Sequence, residues 1–164
     1  MDKKKEMKSY LRMIAKYNKE NNQPSLPALL LKKGSWFEGR ADSDEYPAAK
    51  KWKKRKKPKV QDCFYNSQEF CREDNGSRYF EGFILAKEGL GPDEHCWVVM
   101  QDGRVVDFTM EAVEAVMAKK KQAVDLRGAL YLGLEVPRET IIEKLTETDW
   151  YEPIAEVFYA YQLK

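Results

Sequence analysis

The sequence predicts an α+β fold, in which an antiparallel sheet of three or more strands packs against a helix bearing Cys63 at its N-terminus, with extra N- and C-terminal helices. Three observations predict it. Apolar residues recur at spacings of three and four towards both ends, the period that gives a helix one buried face. The middle holds runs rich in aromatic and β-branched residues, punctuated by turn signals such as Asn75-Gly76 and Asp102-Gly103. The length of 164 residues suits one domain that buries roughly two thirds of the surface of its unfolded chain. Residues 1–164 therefore read as a single domain, with a helical N-terminal extension over 1–49, a basic linker over 50–60 and a catalytic-like core over 61–164.

From Lys3 to Asn21, Met7, Tyr10, Leu11, Ile14 and Tyr17 lie on one face with lysines on the other, an amphipathic helix that packs on the core. Asn21-Asn22-Gln23-Pro24 breaks it. Ser25 then caps a short helix through Leu26, Leu29, Leu30 and Leu31 that stops at Gly34. From Ser35 to Pro47 the pattern dissolves into a loop anchored by Trp36-Phe37. Lys50 to Lys59 is so dense in like charge that it reads as an exposed linker.

Asp62 to Arg72 is a helix opened by Cys63, and Arg78 to Lys87 is a strand. Gly82 within it marks a bulge, a bend under the helix, or a close approach of backbone or substrate. Glu88 to Asp93 is a loop that feeds His95 and forms one lip of a cleft. Val98-Val99-Met100, the Asp102-Gly103 turn and Val105-Val106 make a hairpin. Met110 to Lys121 is a helix, capped by Thr109 and ending in three lysines that suit its dipole. Gly128 to Pro137 is a strand, Arg138 to Leu145 a helix, and Trp150 to Tyr161 a last helix with Ile154, Val157, Phe158 and Tyr161 on one side.

Charged residues make up 34% of the chain and the mean hydropathy is −0.71, which describes a polar surface. No apolar run approaches the roughly 18 to 20 residues of a membrane span. Met1-Asp2-Lys3-Lys4-Lys5 leads into a charged pattern with no apolar signal core, so the expected location is cytoplasmic. Three cysteines without scaffold spacing stay thiols in a reducing compartment. One histidine with scattered thiols makes no four-ligand zinc set, and no Gly-rich phosphate loop occurs, so neither metal nor cofactor is expected.

The net charge of +2 hides an asymmetry: 18 basic against 7 acidic residues through Gln61, then 11 against 20. Opposite charge docks the basic segment onto the acidic body. Alternatively Lys50, Lys51, Lys53, Lys54, Arg55, Lys56 and Lys57 grip a polyanion or nucleic acid with salt-sensitive affinity, and Trp52 stacks on a base.

The chemistry concentrates between Gln61 and Thr109. A cysteine nucleophile needs a base for its proton and a third group to orient that base, and Cys63, His95 and Asp107 supply these in order. A helix start favours a thiolate through its free N–H groups and dipole. The hairpin makes His95 and Asp107 cross-strand neighbours, and Trp97, on the same face as His95, shields them from water. The Cys63 backbone N–H is a natural first oxyanion donor, with Gln61 or Asn66 as the second. Each residue also has a plain structural reading: Cys63 as a small buried hydrophobe, the histidine as a core residue, Asp107 as a turn or cap. Cys71, two helical turns on, reads as core.

Cys63 at a helix start, Tyr79-Phe80-Glu81-Gly82 in a strand, His95-x-Trp97 and Val105-Val106-Asp107-x-Thr109 together resemble the core of the transglutaminase-like branch of papain-like cysteine enzymes. The chain is also similar to small bacterial and phage proteins with a Cys-x-x-Asn, His-x-Trp, Val-Val-Asp-x-Thr pattern. The resemblance covers roughly Gln61 to Thr109, with two departures: Cys96 stands where a small residue is more usual, and no tryptophan follows the nucleophile. It implies acyl transfer or amide hydrolysis through a thioester, of protease, amidase or transglutaminase type, on a peptide, protein or amide substrate. The alternatives are the polyanion-binding protein described above and an inactive assembly component of the same fold.

Overall fold

The computed structural model describes residues 2–87, 89 and 91–162, the last two for their backbone alone. Among these residues the chain forms α1 (Lys3–Glu20), α2 (Leu26–Lys33), β1 (Ser35–Glu38), a 3-10 turn (Ser43–Glu45), α3 (Pro47–Lys56), α4 (Cys63–Glu73), β2 (Arg78–Leu85), β3 (Asp93–Val99), β4 (Val105–Val106), α5 (Phe108–Lys119), β5 (Leu130–Val136), α6 (Arg138–Thr148) and α7 (Ala155–Gln162). The architecture is mixed α/β around one five-stranded sheet in the order β1-β5-β2-β3-β4, antiparallel at every pairing.

Both faces of the sheet are buried, which is why its strands read as nearly continuous apolar runs. Tyr79, Phe83 and Leu85 of β2, Cys96 and Val98 of β3, and Leu130, Leu132, Leu134 and Val136 of β5 join the larger core, with Met7 and Leu11 of α1 and Phe70 of α4. The alternate residues Phe80, Ile84, Trp97, Val99 and Tyr131 form a smaller core on the other face. Gly82 stands between His95 on β3 and Gly133 on β5. A Cβ there would lie 2.0 Å from the Leu132 carbonyl oxygen, so the approach that demands glycine is that of β5. At Gly133 a Cβ would meet the Trp97 ring at 2.6 Å. The indole lies over that gap, with its centroid 4.9 Å from the Tyr131 ring.

Five local expectations change, the first being that the last helix starts at Ala155 and not at Trp150, since residues 150–154 are not helical. The expected loop from Ser35 begins with β1, an edge strand too short for periodicity to show, paired with β5. The expected linker over 50–60 is largely α3: Pro47 sits in its first turn, and Ala49 and Trp52 face inward. Like-charge repulsion is relieved by acidic partners, since Lys53 reaches Asp44 (2.7 Å) and Glu111 (3.1 Å), Lys56 reaches Glu69 (2.9 Å) and Glu73 (3.4 Å), and Arg55 pairs with Glu73. Asp107, not Thr109, caps α5. Tyr17, expected on the core face of α1, is exposed. Glu88 and Leu90 of the predicted lip, and the Tyr161 side chain, lie outside the described residues.

Candidate active site

Cys63 opens α4 and is half-buried, its sulfur packed on the larger core. The Ser67 hydroxyl, one turn on, donates to the Cys96 carbonyl (3.4 Å) and ties the first turns of α4 to β3. Because β4 pairs only with Val98 and Val99, the edge of β3 at His95 and Cys96 is left without a strand on that side. On that side the Cys96 thiol and the His95 ring are near enough to act on the Cys63 thiol. Asp62 holds the N-cap position, yet its carboxylate makes no cap bond, so it does not occupy the first-turn N–H groups.

His95 is 5% exposed and Asp107 1%, and His95 Nε2 lies 2.7 Å from Asp107 Oδ2. With Nε2–H donated to the carboxylate, Nδ1 is the ring nitrogen left for the thiol. The two residues do not meet as direct cross-strand partners. Val98 faces Val106 and Val99 faces Val105, a register that would carry Asp107 opposite Trp97. Asp107 instead leaves the strand to start α5: its Oδ1 accepts the N–H groups of Thr109 (3.1 Å) and Met110 (3.0 Å), and its Oδ2 turns to the imidazole. Cap and orienting group are the same side chain. Trp97 is fully buried, its ring stacked at 6.4 Å and 22° from the His95 ring, where it keeps water from the pair.

The electrostatics follow from this packing. Cys63 is pulled down to about 5, first by the hydrogen bond from the Cys96 thiol, with burial opposing and the His95 ring adding to the pull. For His95 burial opposes the charged form, but the Asp107 carboxylate outweighs it and the Cys63 sulfur adds to it, raising the ring to about 10. Burial likewise works against ionised Asp107, and the His95 charge and its hydrogen bond hold the acid below its ordinary value. Both shifts favour the ionised forms, a thiolate on Cys63 and an imidazolium on His95. Cys71 differs: burial pushes it up to about 12, as befits a core thiol.

The supporting residues fall out differently. Asn66 is fully buried, and its amide hydrogens go to the Lys59 carbonyl and the Thr109 hydroxyl, both at 2.9 Å, so it braces α4 against α5 and has no donor left for an oxyanion. Gln61 is exposed, at φ 65°, on a cavity that Asp62, Phe64 and Tyr65 also line. Within the basic run Trp52 is buried against Phe108 (4.7 Å) and Phe70 (5.7 Å), which removes it as a base-stacking platform. Lys53, Arg55 and Lys56 are ion-paired, leaving Lys50, Lys51, Lys54 and Lys57 on the exposed surface.

Two contributors were missed from the sequence. Tyr131 donates its hydroxyl to Asp107 Oδ2 (3.1 Å), a contact between distant segments that no spacing announces. Cys96 was visible as a departure from the family pattern, but not as a donor to the nucleophile. Among the described residues, no group of three or more His, Cys, Asp and Glu side chains could hold a metal ion, and no helix is long and apolar enough to cross a membrane. No family model, curated protein or solved structure matches this chain.

Proposed function

We propose that this chain is a cysteine enzyme with a papain-like, transglutaminase-like core that transfers or hydrolyses an acyl group of an amide or peptide through a thioester. The observation that carries the reading is the buried 2.7 Å contact between His95 Nε2 and Asp107 Oδ2, with Cys63 near enough for the ring to lower its pKa. The Cys63 thiolate attacks the carbonyl carbon, and the developing oxyanion takes the Cys63 N–H, one of the first-turn donors of α4 that has no partner within the helix. His95, protonated at Nδ1, gives that proton to the leaving amine as the C–N bond breaks. It then accepts a proton from the water or amine that attacks the thioester. Asp107 keeps the ring oriented and its charge compensated throughout. The lysines of the run that face solvent leave room for polyanion contact, but Lys53, Arg55 and Lys56 are engaged within the molecule and its tryptophan is enclosed.

The test is the pH dependence of iodoacetamide labelling at Cys63 in the wild type and in His95→Ala. In the wild type labelling sets in near pH 5, where the thiolate forms. Without the imidazole the onset moves upward. An ordinary thiol profile in both proteins ends the reading.

A further inference from the structure

We infer that the cavity walled by the residues flanking Cys63 in sequence is the subsite for an arginine side chain of a peptide substrate whose carbonyl the thiolate attacks; this rests on the function proposed above. The cavity encloses about 360 Å³ and is walled by Gln61, Asp62, Phe64 and Tyr65, from either side of Cys63, and by Trp150 and Tyr151 from the segment before α7. That volume is at the small end of the range for a ligand pocket and has room for one long side chain.

The far wall is built in advance. Tyr151 donates its hydroxyl to Glu69 (2.8 Å) and sets its ring edge-on to Tyr65 at 4.9 Å. The Glu152 carbonyl accepts from the Gln68 amide (2.7 Å), and the N–H groups of Ile154 and Ala155 both donate to buried Glu81 at 2.8 Å. This anchoring leaves Trp150, 67% exposed, standing at the mouth. A large aromatic side chain held this way and left uncovered is costly to solvate and suited to stacking.

The polar lining selects the occupant. Its polar residues are Gln61, Asp62, Tyr65 and Tyr151, the last with its hydroxyl given to Glu69, and no lysine or arginine is among them. Asp62 has the position of a helix cap but not the bond, so its charge is available to a ligand. A carboxylate among aromatic faces fits a planar cation that stacks and pairs at once, and a guanidinium does both where an ammonium or a neutral side chain does one. An acidic side chain would meet like charge.

The test compares alkylation of Cys63 in the full-length protein by short peptidyl chloromethyl ketones ending in arginine, citrulline or glutamate, each rate normalised to that variant's own iodoacetamide rate. The expected order is arginine over citrulline by about tenfold, glutamate slowest, with the arginine preference reduced by salt and lost in Asp62→Asn and Trp150→Ala. Equal rates for arginine and citrulline at a Cys63 that still shows its low-pH iodoacetamide labelling overturn the subsite and leave the proposed function standing. If that labelling is ordinary, the proposed function fails, and the cavity is read directly in Cys63→Ala by tryptophan fluorescence with Nα-acetyl-arginine amide. Saturable quenching lost in Trp150→Ala upholds the arginine subsite. No saturation, or quenching by N-acetylglucosamine oligomers alone, overturns it.

Discussion

Tyr131 donates its hydroxyl to Asp107 Oδ2 across 3.1 Å, inside the smaller core and out of reach of solvent. That oxygen also takes the His95 N–H, so the tyrosine draws off part of the charge that would otherwise fall on the imidazole. Tyr131→Phe keeps the ring and removes the donor. Urea denaturation should show a loss of about 2 kcal/mol, typical of a buried hydrogen bond to a charged group. With more charge left on Asp107, the His95 titration, followed by NMR, should move further above its ordinary range.

Cys96 is the leading cause of the low Cys63 pKa, and its removal probes the thiol more directly than removal of the His95 ring. Cys96→Ala should raise the acid limb of Cys63 thiolate formation, read by ultraviolet absorbance, by about one unit, the equivalent of one charge-assisted hydrogen bond. Cys96→Ser supplies a hydroxyl donor in the same place and should restore the limb.

Glu81 makes stability fall with rising pH in the weakly acidic range. Burial pushes its carboxyl from 4.5 up to about 7, against the N–H groups of Ala155 and Ile154 that favour its ionised form. Between those values the folded chain keeps a proton that the unfolded chain sheds. The contribution is therefore complete below 4.5 and is lost as pH rises through about 7, on the order of 3 kcal/mol in all. Glu81→Gln should flatten that part of the curve of unfolding free energy against pH, measured by urea titration.

Gly82→Ala sets a methyl group 2.0 Å from the Leu132 carbonyl oxygen, and neither strand can give way without parting β2 from β5. A loss above about 4 kcal/mol is expected, seen as a collapse of the melting temperature or a failure to fold. Gly128→Ala, with nothing within 4 Å of the added carbon, should stay within about 0.5 kcal/mol of the parent.

Periodicity disclosed α1, α2 and the strands because their burial is one-sided or complete over several residues. It failed at β1, whose four residues are too few to show a period, and at α3, where Ala49 and Trp52 were outvoted by lysines whose acidic partners lie elsewhere in the chain. At the site, Cys63, His95 and Asp107 could be named from residue type, order and the hairpin between the last two. The mode of contact could not: a strand register and a helix cap both fit Val105-Val106-Asp107-x-Thr109, and only the start of α5 decides between them. Asn66 looked available because its partners, Lys59 and Thr109, are brought to it by the fold.

The double employment of Asp107 bears on how such a protein can decay. A lineage that drops the acid here also unseats the beginning of α5, so the loss shows as misfolding before it shows as inactivity. Cys63 carries no comparable structural duty at its half-open position. On the function proposed above, drift towards an inert descendant begins at the sulfur, with the acid retained after turnover has gone.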